Sequence, residues 1–311
     1  MTYNQLMALA IVSGIAFGSM SWAYQMGRRL GISAVQIAFV ATAFGSLFFW
    51  FYLMGQTDDG GAQGGSPWVA PALVWTLSLL GGAGQVITVL LLDPAQKHGP
   101  AAPVFCAVNL VFLPAALYAV GVLHESLAPL QVLGLAGALG CVVVAGKAQA
   151  ADPPAAARDS RSIGDAVLYP LLLLGLMLGS SVASIVMKQL QAMPLGTGTL
   201  FDVHRRLYLF LLYASIGAGV GAISVRRGWT RSQILPAIGL GGAGAIGSVI
   251  GFVTLSQASA LPGGIGFAVS NVMCFITIAA ISAGIFKEKR NAAWYLTITL
   301  GIASVILFAR G

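Results

Sequence analysis

The chain has 311 residues, 58% of them hydrophobic and only 8% charged, where a soluble domain carries roughly a quarter of its residues as charges. With a mean hydropathy of +0.88, no soluble core could hide this much apolar surface, so a water-soluble globular fold is excluded. The formal net charge of +7 is scattered as short clusters between apolar runs instead of forming one patch, which excludes nucleic acid as a partner.

Taking about 20 apolar residues per span, the sequence predicts helices near Gln5 to Met26, Ala34 to Gly55, Val69 to Leu92, Ala102 to Leu123 and Leu127 to Gly146. The N-terminus lacks a basic leader and its apolar run exceeds signal-peptide length, so it reads as a retained first helix. The gap at His124 to Ser126 fits either a turn between two spans or a kink in one. A polar stretch follows from Lys147 to Ile163, with Asp152-Pro153-Pro154 and Arg158-Asp159-Ser160-Arg161, residues that favour loop. Five more helices are predicted near Asp165 to Gln191, Phe201 to Ser224, Ile234 to Ala258, Gly264 to Phe286 and Asn291 to Phe308.

The two sets echo each other. A shift of 163 residues pairs Gly84 with Gly247, Val86 with Val249, Leu92 with Leu255, Phe112 with Phe275, Gly121 with Gly284 and Glu125 with Glu288. Gly18-Ser19 aligns with Gly179-Ser180 at a slightly different shift. A five-helix unit crosses the membrane an odd number of times, so its tandem copy enters from the other side. The expected fold is therefore an all-α membrane protein of ten transmembrane helices in two inverted five-helix repeats, residues 1–148 and 164–311, joined by a polar linker at 149–163.

Each half closes on a short glutamate-containing turn and a glycine-rich last helix. The residues are Leu123-His124-Glu125-Ser126-Leu127 before Leu130-Gln131-Val132-Leu133-Gly134, and Phe286-Lys287-Glu288-Lys289-Arg290. With these features the chain resembles the drug/metabolite transporter superfamily in its ten-helix form. The resemblance implies a central cavity between the halves and counterparts of a family basic residue at Arg28 and Lys188. A family arginine in the second helix of a half has counterparts in Arg205 or Arg206, but Ala41-Thr42-Ala43 departs from that pattern in the first half.

Twelve of the sixteen basic residues fall in odd-numbered loops: Arg28, Arg29, Lys97, Lys147, Arg158, Arg161, Arg226, Arg227, Arg231, Lys287, Lys289 and Arg290. The positive-inside rule then puts both termini outside, in a multi-pass protein of a bacterial-type inner (cell) membrane. The resemblance implies the opposite arrangement for many family members.

Intramembrane ionisable residues mark function by default, and here every carboxylate falls in a loop or at a helix end. That argues against proton-coupled cation antiport through a buried glutamate. Arg205 and Arg206 lie about two turns inside the seventh helix, fitting an anion hook or an interfacial cluster snorkelling to headgroups. His204 could shuttle protons or be a hydrogen-bonded structural histidine. The remaining substrate-binding candidates are Trp22, Tyr24, Gln25, Gln85, Thr88, Asn109, Ser181, Ser184, Ser248, Ser270 and Asn271, on helices that the resemblance makes cavity-lining. For the amides and hydroxyls, bonding between helices or to their own backbone is the competing reading. Gly14 with Gly18, Gly217 with Gly221, and Gly247 with Gly251 read as packing pairs.

Cys106, Cys141 and Cys274 lack paired spacing, and nothing suggests a metal, cofactor or catalytic group. The function expected is secondary transport of a small polar or amphipathic metabolite, neutral, zwitterionic or anionic, by alternating access. Its partners are that substrate and the bilayer, and its state a monomer or homodimer. The rivals are a membrane-embedded enzyme acting on lipid, built on His98 with Asp93 or His204 with Asp202, and a non-catalytic partner subunit.

Overall fold

The structure, a computed structural model, describes residues 1–55, 72–98, 104, 107–150, 163–193, 199–285 and 292–310. In chain order the helices are α1 (Tyr3–Arg29), α2 (Ala34–Met54), α3 (Ala72–His98), α4 (Phe112–Gly121), α5 (Pro129–Ala150), α6 (Ile163–Ala192), α7 (Thr199–Arg227), α8 (Arg231–Ala258), α9 (Ile265–Gly284) and α10 (Ala292–Arg310). Among the described residues there is no strand.

The helices α1, α2, α3, α6, α7, α8 and α9 are long and apolar enough to cross a membrane, while those at Ala107–Gly121, Pro129–Cys141 and Tyr295–Arg310 are shorter. Large apolar side chains stand exposed around the outside, Val225, Leu235, Ile246, Phe51 and Leu117 among them, with Leu235 as much as 77% exposed. The interior meanwhile holds Ser13, Thr88, Ser180, Ser181, Lys188 and Ser270. Apolar outside and polar groups paired within is the distribution of a multi-pass membrane protein, where lipid is the outer solvent.

Local signals set the boundaries. Thr2 and Ser33 each cap a helix whose third residue, Gln5 or Gln36, bonds back to the cap backbone. The stretch expected as one helix from Ala102 to Leu123 is interrupted: residues 107–109 are helical, the chain turns at Leu110 and Val111, and α4 begins at Phe112. The ambiguous gap at His124 is a true turn, with His124 at φ 54. Much of the expected linker, residues 151–162, and Glu288 lie outside the described residues.

The Tyr3 hydroxyl donates to the Phe308 carbonyl at 2.5 Å, so the start of α1 and the end of α10 share one face, termed here the terminal face. On the opposite face α2 and α8 begin side by side. There Gln36 donates to the Gly228 carbonyl at 3.1 Å and Gln233 to the Gly31 carbonyl at 2.9 Å.

Packing sorts the helices into two groups. In one, α1 lies against both α8 and α9, and α2 against α8; in the other, α6 lies against α3 and α4, and α3 against α7. The groups meet chiefly where α2 crosses α7, while α5 and α10 pair outside them. Glycines permit the closest approaches. A Cβ on Gly84 of α3 would stand 2.6 Å from the Gly179 carbonyl oxygen of α6, and one on Gly247 of α8 would stand 2.7 Å from the Ala16 carbonyl oxygen of α1. Hydroxyls tie each group internally: Ser13 of α1 bonds Ser270 of α9 and the Gly251 carbonyl of α8, each at 3.0 Å, and Thr88 of α3 bonds Ser180 of α6 at 3.1 Å.

Candidate functional site

Between the two groups lies a cavity of about 270 Å³, walled by α1, α2, α3, the turn before α4, α6, α7, α8 and α9. Its aromatic side is built by Phe17, Phe252 and Tyr213, with Phe252 edge-on to Phe17 at 5.1 Å and to Tyr213 at 5.6 Å between ring centroids. None of the lining residues is Asp, Glu, Lys, Arg or His.

Of the sequence-predicted residues, Tyr24, Gln85, Thr88, Asn109, Ser184, Ser248, Ser270 and Asn271 line this cavity. The bonds they make divide them. Thr88 and Ser270 join helices as described above, and Ser248 bonds the Tyr213 hydroxyl across α7 and α8. Asn271 donates to the Phe267 carbonyl one turn back, at 2.7 Å, which leaves its Oδ1 as an acceptor. Tyr24, Gln85 and Ser184 have no hydrogen-bond partner among the described residues, and Ser184 is 8% exposed. All three residues line the cavity with hydrogen-bonding capacity that the described residues leave unmet, which suits a ligand that supplies the missing bonds.

The other candidates do not line it. Trp22 packs against the cluster of Ala23, Ile32, Ile37, Ala237 and Leu240, Ser181 donates to the Met177 carbonyl at 2.6 Å, and Gln25 stays outside the lining. Arg206 does lie two turns inside α7, yet it donates to the Tyr52 carbonyl at 3.0 Å and stacks its guanidinium 3.9 Å from the Tyr52 ring centroid. His204 is buried and partnered, and Arg205 is partnered too; neither reaches the cavity. Residues that sequence reasoning missed are Phe17, Thr42, Ser180, Tyr213 and Phe252. Tyr213 carried a usable signal, because a tyrosine in mid-span needs a partner for its hydroxyl.

Near the terminal end of the cavity, one turn beyond the lining residue Ser184, the Lys188 side chain is only 2% exposed. Its ammonium meets Glu125 Oε1 at 2.8 Å, the Leu261 carbonyl at 2.9 Å and the Ser259 carbonyl at 3.1 Å. Three donors therefore find three acceptors. Asp93 holds Arg227 at 2.8 Å on the opposite face, and the side chain of His98, its candidate catalytic partner, lies outside the described residues. No group of metal-ligating side chains forms among the described residues.

No family model and no curated protein matches the chain. A solved crystal structure, described only as that of a protein, superposes with a TM-score of 0.72 over 98% of this chain and 96% of its own, at 14% identity. At that identity the likeness shows a shared fold over nearly the whole length and nothing further.

Proposed function

We propose that the protein is a secondary transporter of the drug/metabolite type, carrying a small polar or amphipathic solute without net charge through the cavity between its two helix groups. The observation that carries this reading is the cavity itself: mid-depth in an apolar bundle, free of charged walls, and lined by Tyr24, Gln85 and Ser184, which have no hydrogen-bond partner among the described residues. An ion there would lose its hydration with no countercharge in return, so the lining favours a neutral or zwitterionic cargo over the anion that Arg205 and Arg206 first suggested.

The packing supports two inverted five-helix halves, α1 to α5 and α6 to α10. Exchanging each helix with the one five places along turns the α1 contacts with α8 and α9 into the α6 contacts with α3 and α4. It also turns α2 against α8 into α7 against α3, and leaves α2–α7 and α5–α10 unchanged. The helices α1 and α6 run antiparallel, since α1 begins at the terminal face and α6 ends there at Lys188. Inverted repeats around a midplane cavity suit alternating access. All ten helices then span the membrane, with the terminal face outside by the positive-inside rule.

Purified protein in nanodiscs, screened by thermal shift against neutral, zwitterionic, anionic and cationic metabolites, tests the reading. Neutral or zwitterionic members should raise the melting temperature and then cross the bilayer in proteoliposomes. Stabilisation by ions alone, or by nothing, would overturn it.

A further inference from the structure

Besides the Tyr213–Ser248 bond at the cavity wall and the Arg206–Tyr52 contact of α7 with α2, the polar contacts that cross from one helix group to the other gather at the terminal face around Lys188. Lys188 and Glu125 belong to the group of α3, α4, α6 and α7, and both grip the connection between α8 and α9 in the other group. Lys188 holds the Ser259 and Leu261 carbonyls, and the Gly263 N–H donates to Glu125 Oε2 at 2.6 Å. One turn on from Lys188, Gln191 donates to the Ser256 carbonyl at the end of α8, at 2.5 Å. On the opposite face Gln36 of α2 bonds Gly228 in the α7–α8 connection and Gln233 of α8 bonds Gly31 in the α1–α2 connection, while Asp93 with Arg227 joins α3 and α7 within one group; no ammonium or carboxylate grips a connection of the other group there among the described residues.

The connection is shaped to be gripped. Gly263 at φ 58 and Gly264 at φ 73 take left-handed conformations, which L side chains rarely adopt. A Cβ on Gly263 would run into the Leu127 side chain, and one on Gly264 would stand 3.0 Å from Ala116 Cα. Directly inside this layer, Met187 and Leu255 line the cavity.

We infer that Lys188 and Glu125 form the latch that seals the cavity at the terminal face, and that the two groups part there only when Lys188 releases the α8–α9 connection. The contact is built to be both tight and breakable. Its strength comes from one ammonium with all three donors placed, so losing Glu125 leaves that buried charge under-compensated. Its reversibility follows because Glu125 is 27% exposed and is hydrated as it swings away. Packed apolar residues alone would seal equally well, but the carboxylate gives water a place to enter.

The inference rests on reading the cavity as a transport path, yet the seal can be measured with no cargo present. In full-length protein with Cys106, Cys141 and Cys274 replaced, Ser184→Cys places a thiol in the cavity. Reconstituted in proteoliposomes, it is treated from the terminal face with a charged, membrane-impermeant methanethiosulfonate. Labelling should be slow with the latch intact and should rise about tenfold or more in Lys188→Met and in Glu125→Gln, as the open population grows. Glu125→Gln keeps the shape of the contact and serves where Lys188→Met fails to fold. Unchanged labelling in folded Glu125→Gln protein, or a rise confined to reagent added from the opposite face, overturns the latch. Fast labelling of the latch variants beside no solute movement through the protein with Ser184 intact sinks the transport reading and leaves the latch standing.

Discussion

Lys188 of α6 and Glu125 of the α4–α5 turn meet at 2.8 Å with unequal burial, the lysine 2% exposed and the glutamate 27%. That inequality orders the consequences of breaking the pair. Glu125→Ala strands a buried ammonium on two carbonyls and should cost about 3 kcal/mol or more, the range for an orphaned buried charge. Lys188→Met removes the buried charge and leaves a carboxylate that water reaches, so it should cost less. In a double-mutant cycle read by thermal or denaturant unfolding in detergent, the paired substitution should be milder than the sum of the singles. Additive effects, or the reverse order, would show that the contact carries little energy.

Tyr24, Gln85 and Ser184 have no hydrogen-bond partner to lose among the described residues. Tyr24→Phe, Gln85→Ala and Ser184→Ala should each leave the melting temperature nearly unchanged while weakening cargo binding by about fivefold to tenfold, the loss of roughly 1 kcal/mol per hydrogen bond. Tyr213→Phe behaves differently, because it orphans the Ser248 hydroxyl. It should destabilise the fold by about 0.6 to 1.7 kcal/mol, as for hydrogen bonds between membrane helices. Calorimetric binding beside thermal unfolding separates the two classes. Equal stability losses in all four variants would refute the division.

Gly179 is where α6 touches α3. A Cβ there would stand 2.8 Å from Thr88 Oγ1 and 2.9 Å from the Gly84 carbonyl oxygen. Gly179→Leu must push the helices apart and break the Thr88 bond to Ser180, for a cost of about 1 to 3 kcal/mol. Gly239 has nothing within 4 Å of its added Cβ, so Gly239→Ala should be neutral or slightly stabilising through helix propensity. Paired unfolding measurements on the two variants check the contrast.

Arg206 is committed to Tyr52 of α2. Arg206→Ala should lower stability by about 1 to 2 kcal/mol through the lost stacking and hydrogen bond. The initial uptake rate per folded protein should stay unchanged. Loss of uptake with intact stability would return this arginine to the binding site.

Helix placement was legible because apolar runs of span length leave lipid as the only solvent, and α1, α2 and α8 fall close to where those runs put them. The break at Leu110 was not, since the sequence stays apolar through it and hydropathy carries no record of backbone turns. The fate of the polar residues was half legible. Residue type and depth picked out Tyr24, Gln85 and Ser184, but the direction of a side chain changes by 100° per residue, so Arg206 and Ser181 pointed elsewhere. Phe17, Phe252 and Tyr213 were hidden among other aromatics of the same apolar runs. Lys188 and Glu125 were both visible as family-like features, yet their pairing depends on how α6 meets the α4–α5 turn, which no local pattern encodes.

The most direct measurement is solute uptake before and after the cavity is plugged. In proteoliposomes of Ser184→Cys protein without other cysteines, a bulky thiol reagent attached at position 184 should abolish uptake of a neutral or zwitterionic solute that stabilises the protein. Reduction should restore it. Uptake that continues with the cavity filled would contradict transport through this site.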